Sequence, residues 1–176
     1  MNKSMILIGM PGCGKSTLGV LLAKTLCLGF VDTDLVLQAR ERQPLQQILN
    51  ESGLAFFLAR EEAAILSLLP AQTVVATGGS VILSAAAMDH LHHFGSLVFI
   101  DVPVPELEHR IRNIRTRGIV LEPGQTLQDL ADIRRPLYLR YADYVINAGS
   151  ADPEAIVEEL AAWYRQNSSP AGQTCR

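Results

Sequence analysis

The chain has 176 residues, 48% hydrophobic and 19% charged, enough to bury one substantial core and too apolar for a largely disordered protein. A net charge of −3 supplies no basic field to steer it onto nucleic acid or an anionic membrane, so any anion it binds must be caught locally. No apolar run approaches the roughly 18 residues of a membrane span, and MILIGM is cut short by Pro11 and Gly12, so the expectation is a cytoplasmic monomer.

Met5–Ile8 is the first short apolar run suited to a buried strand, and Thr17–Leu26 has helical spacing behind it. Between them, Gly9, Gly14, Lys15 and Ser16 fit G-x-x-x-x-G-K-[ST] in the strand–loop–helix context that motif requires. The glycines let backbone N–H groups turn inward around phosphates. The helix start adds unpaired donors and the positive end of its dipole, and Lys15 adds a mobile charge. Ser16 can place its hydroxyl on Mg²⁺. Cys13 is read as a small spacer with no thiol chemistry; Cys13, Cys27 and Cys175 form no CxxC and imply neither disulfides nor zinc.

The next strand, Phe30–Val31, runs into Asp32 and Asp34. Two residues apart in an extended chain, they project to the same side, one able to hold Mg²⁺ through its water shell and the other to orient an attacking hydroxyl. The structural alternative is a pair of aspartates that caps the following helix. A helix over Leu58–Leu69 precedes a strand at Thr73–Ala76, which ends in Gly78 and Gly79, where the backbone can approach a ligand closely. His90, His92 and His93 read as a polar helix end rather than a metal cluster. Ser96–Ile100 and Tyr144–Ile146 complete five strands, with helices at Pro105–Ile114, Leu127–Tyr141 and Pro153–Arg165, the last capped by Asp152. Strands alternating with helices predict a mainly parallel sheet covered on both faces.

With these pieces assembled, the chain from about Met5 to Arg165 resembles the shikimate kinases, P-loop kinases that pass the γ-phosphoryl of ATP to the 3-hydroxyl of shikimate. The resemblance implies a three-layer α/β/α fold on a five-stranded parallel sheet. It implies one domain over 1–165, with a substrate-binding segment at about 33–61, a lid at about 114–126 and a disordered tail at 166–176. ATP and Mg²⁺ are the implied cofactors, and a small hydroxylated carboxylate the implied partner. Position by position, Gly12, Cys13, Gly14, Lys15, Ser16 and Thr17 look like the nucleotide loop, and Ser16 and Asp32 like the Mg²⁺ residues. Asp34 looks like the partner of the substrate hydroxyl. Phe57, Gly78 and Gly79 look like substrate contacts, as does Arg134 in RRPLY, whose guanidinium would grip a carboxylate. Arg110 resembles the arginine stacked on adenine, Pro153 the residue on its other face, and Arg117 the catalytic arginine of the lid.

The pattern departs where the acceptor is recognised. The family segment G-E-x-x-F-R-x-x-E reads GLAFFLARE here, so Gly53, Phe57 and Glu61 match while Leu54 replaces the glutamate and Leu58 the arginine that shares the substrate carboxylate. Ser80 replaces a third glycine, and Gly118 the proline of the lid motif. Losing one hydrogen bond to a charged group, at roughly 1.5–3 kcal/mol, would weaken acceptor binding without touching the phosphoryl-transfer residues. Two other functions stay open on the residues alone: a related kinase with another hydroxylated acceptor, and a non-catalytic nucleotide-binding module.

Overall fold

The computed structural model describes residues 4–112 and 124–168. The first element is β1 (Ser4–Ile8), buried along its whole length, and α1 (Lys15–Leu26) follows the glycine loop. After β2 (Gly29–Asp32) come α2 (Thr33–Glu41) and α3 (Leu45–Leu66). Then β3 (Thr73–Ala76) and a 3-10 turn at Val81–Leu83 lead to α4 (Ala85–Phe94) and β4 (Gly95–Asp101). The chain closes with α5 (Val104–Arg112), α6 (Leu127–Tyr141), β5 (Tyr144–Asn147) and α7 (Pro153–Ser168).

All five strands are parallel, in the order β2-β3-β1-β4-β5. The sheet is buried on both faces, so its central strands read as near-continuous apolar runs: Met5, Ile6, Leu7 and Ile8 in β1, Leu97 to Ile100 in β4. On these strands α1 packs against β3 and α7, while α4 packs against β1 and β4, giving the three-layer α/β/α architecture. The crossover from β1 leads to one side of the sheet, and the crossover from β3 returns past β1 to β4 on the other. The carboxyl edge of β1 is therefore the topological switch point, where ligands bind in open α/β sheets.

The helix termini follow from their sequences. Ser84 accepts from Ala87 N at 3.0 Å to start α4, and Thr126 with Asp129 forms a reciprocal capping box at α6. Hydrogen bonds from Thr126 hold the Asp129 carboxyl below its ordinary range. At α7, Asp152 Oδ1 accepts from Glu154 N at 3.4 Å, and its carbonyl accepts from Ile156 N, as its expected capping role requires.

A second apolar cluster lies away from the sheet, where Leu37 of α2 meets Leu45, Ile48, Phe57 and Ala64 of α3. Here the structure differs from the reading of the sequence. The chain turns helical at Thr33, one residue after Asp32, so Asp34 is not on an extended strand. The helix read as beginning at Leu58 starts at Leu45 and breaks at Gly53, where φ is 79°. The lid read at 114–126 and the tail at 166–176 fall largely outside the described residues, as do Arg117, Gly118 and Cys175.

Candidate active site

The loop after β1 is shaped by glycine. Gly14 caps α1 with φ of 102°, in the left-handed region, and no side chain caps the helix. The first-turn N–H groups are thus left to an external acceptor, the arrangement that favours phosphate. Lys15 is only 5% exposed, and its ammonium donates to the carbonyls of Gly9 at 2.7 Å and Met10 at 2.9 Å. A positive charge is thereby held inside the loop, already out of bulk water.

Beside the loop lies a cleft of about 450 Å³ lined by Gly12, Gly14, Thr17, Arg110, Pro153 and Ile156, together with Cys13. Arg110 is fixed by its surroundings. Its guanidinium donates to the carbonyl of Gly149 at 2.7 Å and to those of Ala148 and Cys13, while Nε pairs with Glu106 at 3.0 Å. The residues expected to flank a nucleobase, Arg110 from α5 and Pro153 from α7, therefore face one cleft.

A separate, smaller cavity is lined by Lys15, Ser16, Asp34, Phe57, Gly78 and Gly79, and also by Glu61, Thr77 and Ser80. Asp34 reaches it from the first turn of α2. Asp32 is the N-cap of that helix, its Oδ1 accepting from Asp34 N at 2.9 Å, so capping and placement of Asp34 are one interaction. Thr33 ties α2 to the strand loop by accepting from Gly78 N at 3.0 Å. A side chain at Gly78 would collide with Glu61 Oε1 and stand 2.9 Å from Asp34 Oδ1, so the glycine leaves room for both carboxylates where they stand.

Arg134 is 2% exposed, in contrast to its neighbour Arg135, which sits in solvent and pairs with Asp101 at 2.8 Å. The Arg134 guanidinium donates to the carbonyl of Gly79 at 3.0 Å, and Tyr138 Oη donates to the same oxygen at 2.6 Å. Burial works against the charge on Arg134 and pushes the Tyr138 phenol well up, so the phenol stays a donor.

Glu61 is the residue whose weight the sequence did not disclose. It is buried, and its carboxyl is pushed up to about 7: burial, with a smaller contribution from the Asp34 charge, raises it, while a hydrogen bond with Ser80 and the charges of Arg134 and Lys15 act in the opposite direction. A signal was available: Phe57, Ala64 and Ile65 are its neighbours at helical spacing, so periodicity alone sets a glutamate among buried apolar residues. Arg60 does not reach it, being engaged with Glu41 at 3.2 Å and with the Phe56 ring. The histidines behave as a polar helix end, His90 bonding Leu68 O and His92 pairing with Asp143, and no metal-holding group of His, Cys, Asp or Glu occurs among the described residues.

The family description "Shikimate kinase" matches residues 11–165. A shikimate kinase of Pseudomonas paraeruginosa is 35% identical over 160 residues, covering 89% of this chain and 93% of that protein. Shikimate kinase 2 of Salmonella typhi is 31% identical over 167 residues, covering 92% of each. The fold superposes on shikimate kinase from Acinetobacter baumannii in complex with shikimate, with a TM-score of 0.84, 28% identity and 94% of each chain covered. A glycine-loop cleft and a carboxylate-lined cavity, both walled by the start of α1 in a chain matched along most of its length, identify this protein as a member of the shikimate kinase family.

Proposed function

We propose that the protein transfers the γ-phosphoryl group of ATP to the 3-hydroxyl of shikimate. The observation that carries this reading is that one short stretch at the start of α1 serves both cavities, Gly14 and Thr17 lining the cleft beside Arg110 and Pro153, and Lys15 and Ser16 lining the cavity that holds Asp34.

Arg110 and Pro153 flank the base, and the backbone of Gly12 to Thr17 cradles the phosphates. Ser16 and Asp32 are oxygen donors of the hard type Mg²⁺ takes, with Asp32 acting through the ion's water shell. When bound, Mg²⁺ would offset negative charge on the nucleotide phosphates. Asp34 accepts the proton of the acceptor hydroxyl as its oxygen bonds to phosphorus and the bond to ADP breaks. Lys15 stabilises the phosphoryl oxygens in transit, a role shared with Arg117 of the lid segment. Arg134 anchors the acceptor carboxylate, with Phe57, Gly78 and Gly79 shaping the floor.

ADP release coupled to a spectrophotometric readout, with shikimate as acceptor, tests the assignment, and NMR of the product locates the phosphate on the 3-hydroxyl. No release above the ATPase background with shikimate, alongside rapid release with another hydroxylated metabolite, would overturn it.

A further inference from the structure

Glu61 stands where the acceptor cavity meets a neighbouring cavity of about 230 Å³, the one lined by Leu58; Glu61 and Ser80 form part of both walls. A buried carboxylate ordinarily needs a cation of its own. The position that would supply one from the same helix face, three residues earlier, is Leu58. No ion pair to Glu61 forms among the described residues. The groups facing it are the Ser80 hydroxyl from the loop after β3, Asp34 from α2, Arg134 from α6 and Lys15 from α1. Both cations are already engaged with backbone carbonyls, Arg134 on Gly79 and Lys15 on Gly9 and Met10.

We propose that acceptor binding is coupled to a proton at Glu61: a carboxylate-bearing acceptor settling against Arg134 draws a proton from solvent onto a Glu61 carboxylate oxygen, and Ser80 is the positioning residue that tunes this uptake. The proposal rests on the reading that the acceptor carries a carboxylate. That carboxylate would be a third negative charge beside Asp34 and Glu61, and like charges in one buried site do not all ionise. Neutralising Glu61 relieves the repulsion without calling on Asp34, the group that receives the hydroxyl proton.

The sign follows from the free protein, in which Glu61 already holds its proton up to about pH 7. An anionic neighbour pushes the carboxyl higher still. Above about pH 7 the free protein has lost this proton and the complex retains it, so affinity falls as pH rises, by up to about tenfold per pH unit. The Ser80 hydrogen bond favours the ionised form, so removing it moves this window to higher pH.

Calorimetry of shikimate binding to the full chain, in buffers of different ionisation enthalpy between pH 6 and 9, counts the protons. We expect fractional uptake that grows above about pH 7, with Kd rising over the same range. Glu61→Gln is expected to bind with no uptake and a flat pH profile. Ser80→Ala is expected to shift the profile upward, a change that loss of packing alone would not produce, and Leu58→Arg to abolish uptake by keeping Glu61 ionised. Should Glu61→Gln fail to fold, the shifts in the other two variants decide. Binding without proton uptake, or uptake that persists in Glu61→Gln, overturns the coupling alone; no binding of shikimate at any pH overturns the acceptor reading and the coupling with it.

Discussion

At the nucleotide end of the crevice the fixed contacts run from side chain to backbone. Arg110 is held by three carbonyls, Lys15 by two, and the phosphate loop is shaped by glycine dihedrals. At the acceptor end, side chains face one another: Asp34, Ser80 and Arg134 all act on the buried Glu61, and the charge of its carboxyl depends on them. Backbone carbonyls are present whatever the sequence, so the anchoring of Lys15 and most of that of Arg110 do not depend on which side chains the acceptor residues carry. The second depends on side-chain identity, and three of the four departures from the family pattern, Leu54, Leu58 and Ser80, fall in the acceptor-binding segments, Gly118 of the lid motif being the fourth.

Substitutions that act on one end alone sharpen this contrast, and any that act on both would break it. The largest expected effect is from Asp34→Asn, which removes the proposed proton acceptor and should lower kcat about 10²–10⁴-fold with saturating acceptor, while leaving ATP affinity unchanged in a binding titration. Intact turnover would remove Asp34 from the mechanism. Arg134→Lys comes next: it loses the planar fork and should raise the acceptor KM about tenfold to a hundredfold, with the KM for ATP within twofold. Arg110→Ala is the mirror experiment. It should raise the KM for ATP from about twofold to about thirtyfold through lost stacking, without moving the acceptor KM. The smallest effect belongs to Arg135→Ala, whose exposed ion pair with Asp101 should contribute less than about 1 kcal/mol to stability in a denaturant titration and nothing to either KM.

The nucleotide end was legible in the sequence because its parts are local. Gly9 to Thr17 is one contiguous motif with a defined strand before it and helix after it, and its role follows from backbone chemistry. The central β strands were legible for a related reason: buried on both faces, they stand out as apolar runs such as Thr73–Ala76, which the structure reproduces residue for residue. The acceptor end is assembled from α1, α2, α3, the loop after β3 and α6, and no spacing along the chain records how they meet. Asp32 shows the difficulty at short range. Its capping bond to Asp34 N turns the chain helical at a point where period-two alternation with Asp34 suggests a strand. Arg134 and Arg135 show it at longer range, since adjacent and chemically identical residues differ only in which face of α6 they occupy.

The shared acceptor at Gly79 has a consequence for how this protein can change. Because its carbonyl is gripped by both Arg134 and Tyr138, the peptide unit joining residues 79 and 80 is clamped from the α6 side. Residue 80 therefore rides on a fixed mount, where the side chain can be exchanged with little cost to the course of the loop. A lineage, or an engineer, can retune how strongly the neighbouring carboxyl holds its proton by editing a single side chain. The phosphoryl-transfer geometry on the far side of the clamp stays as it was.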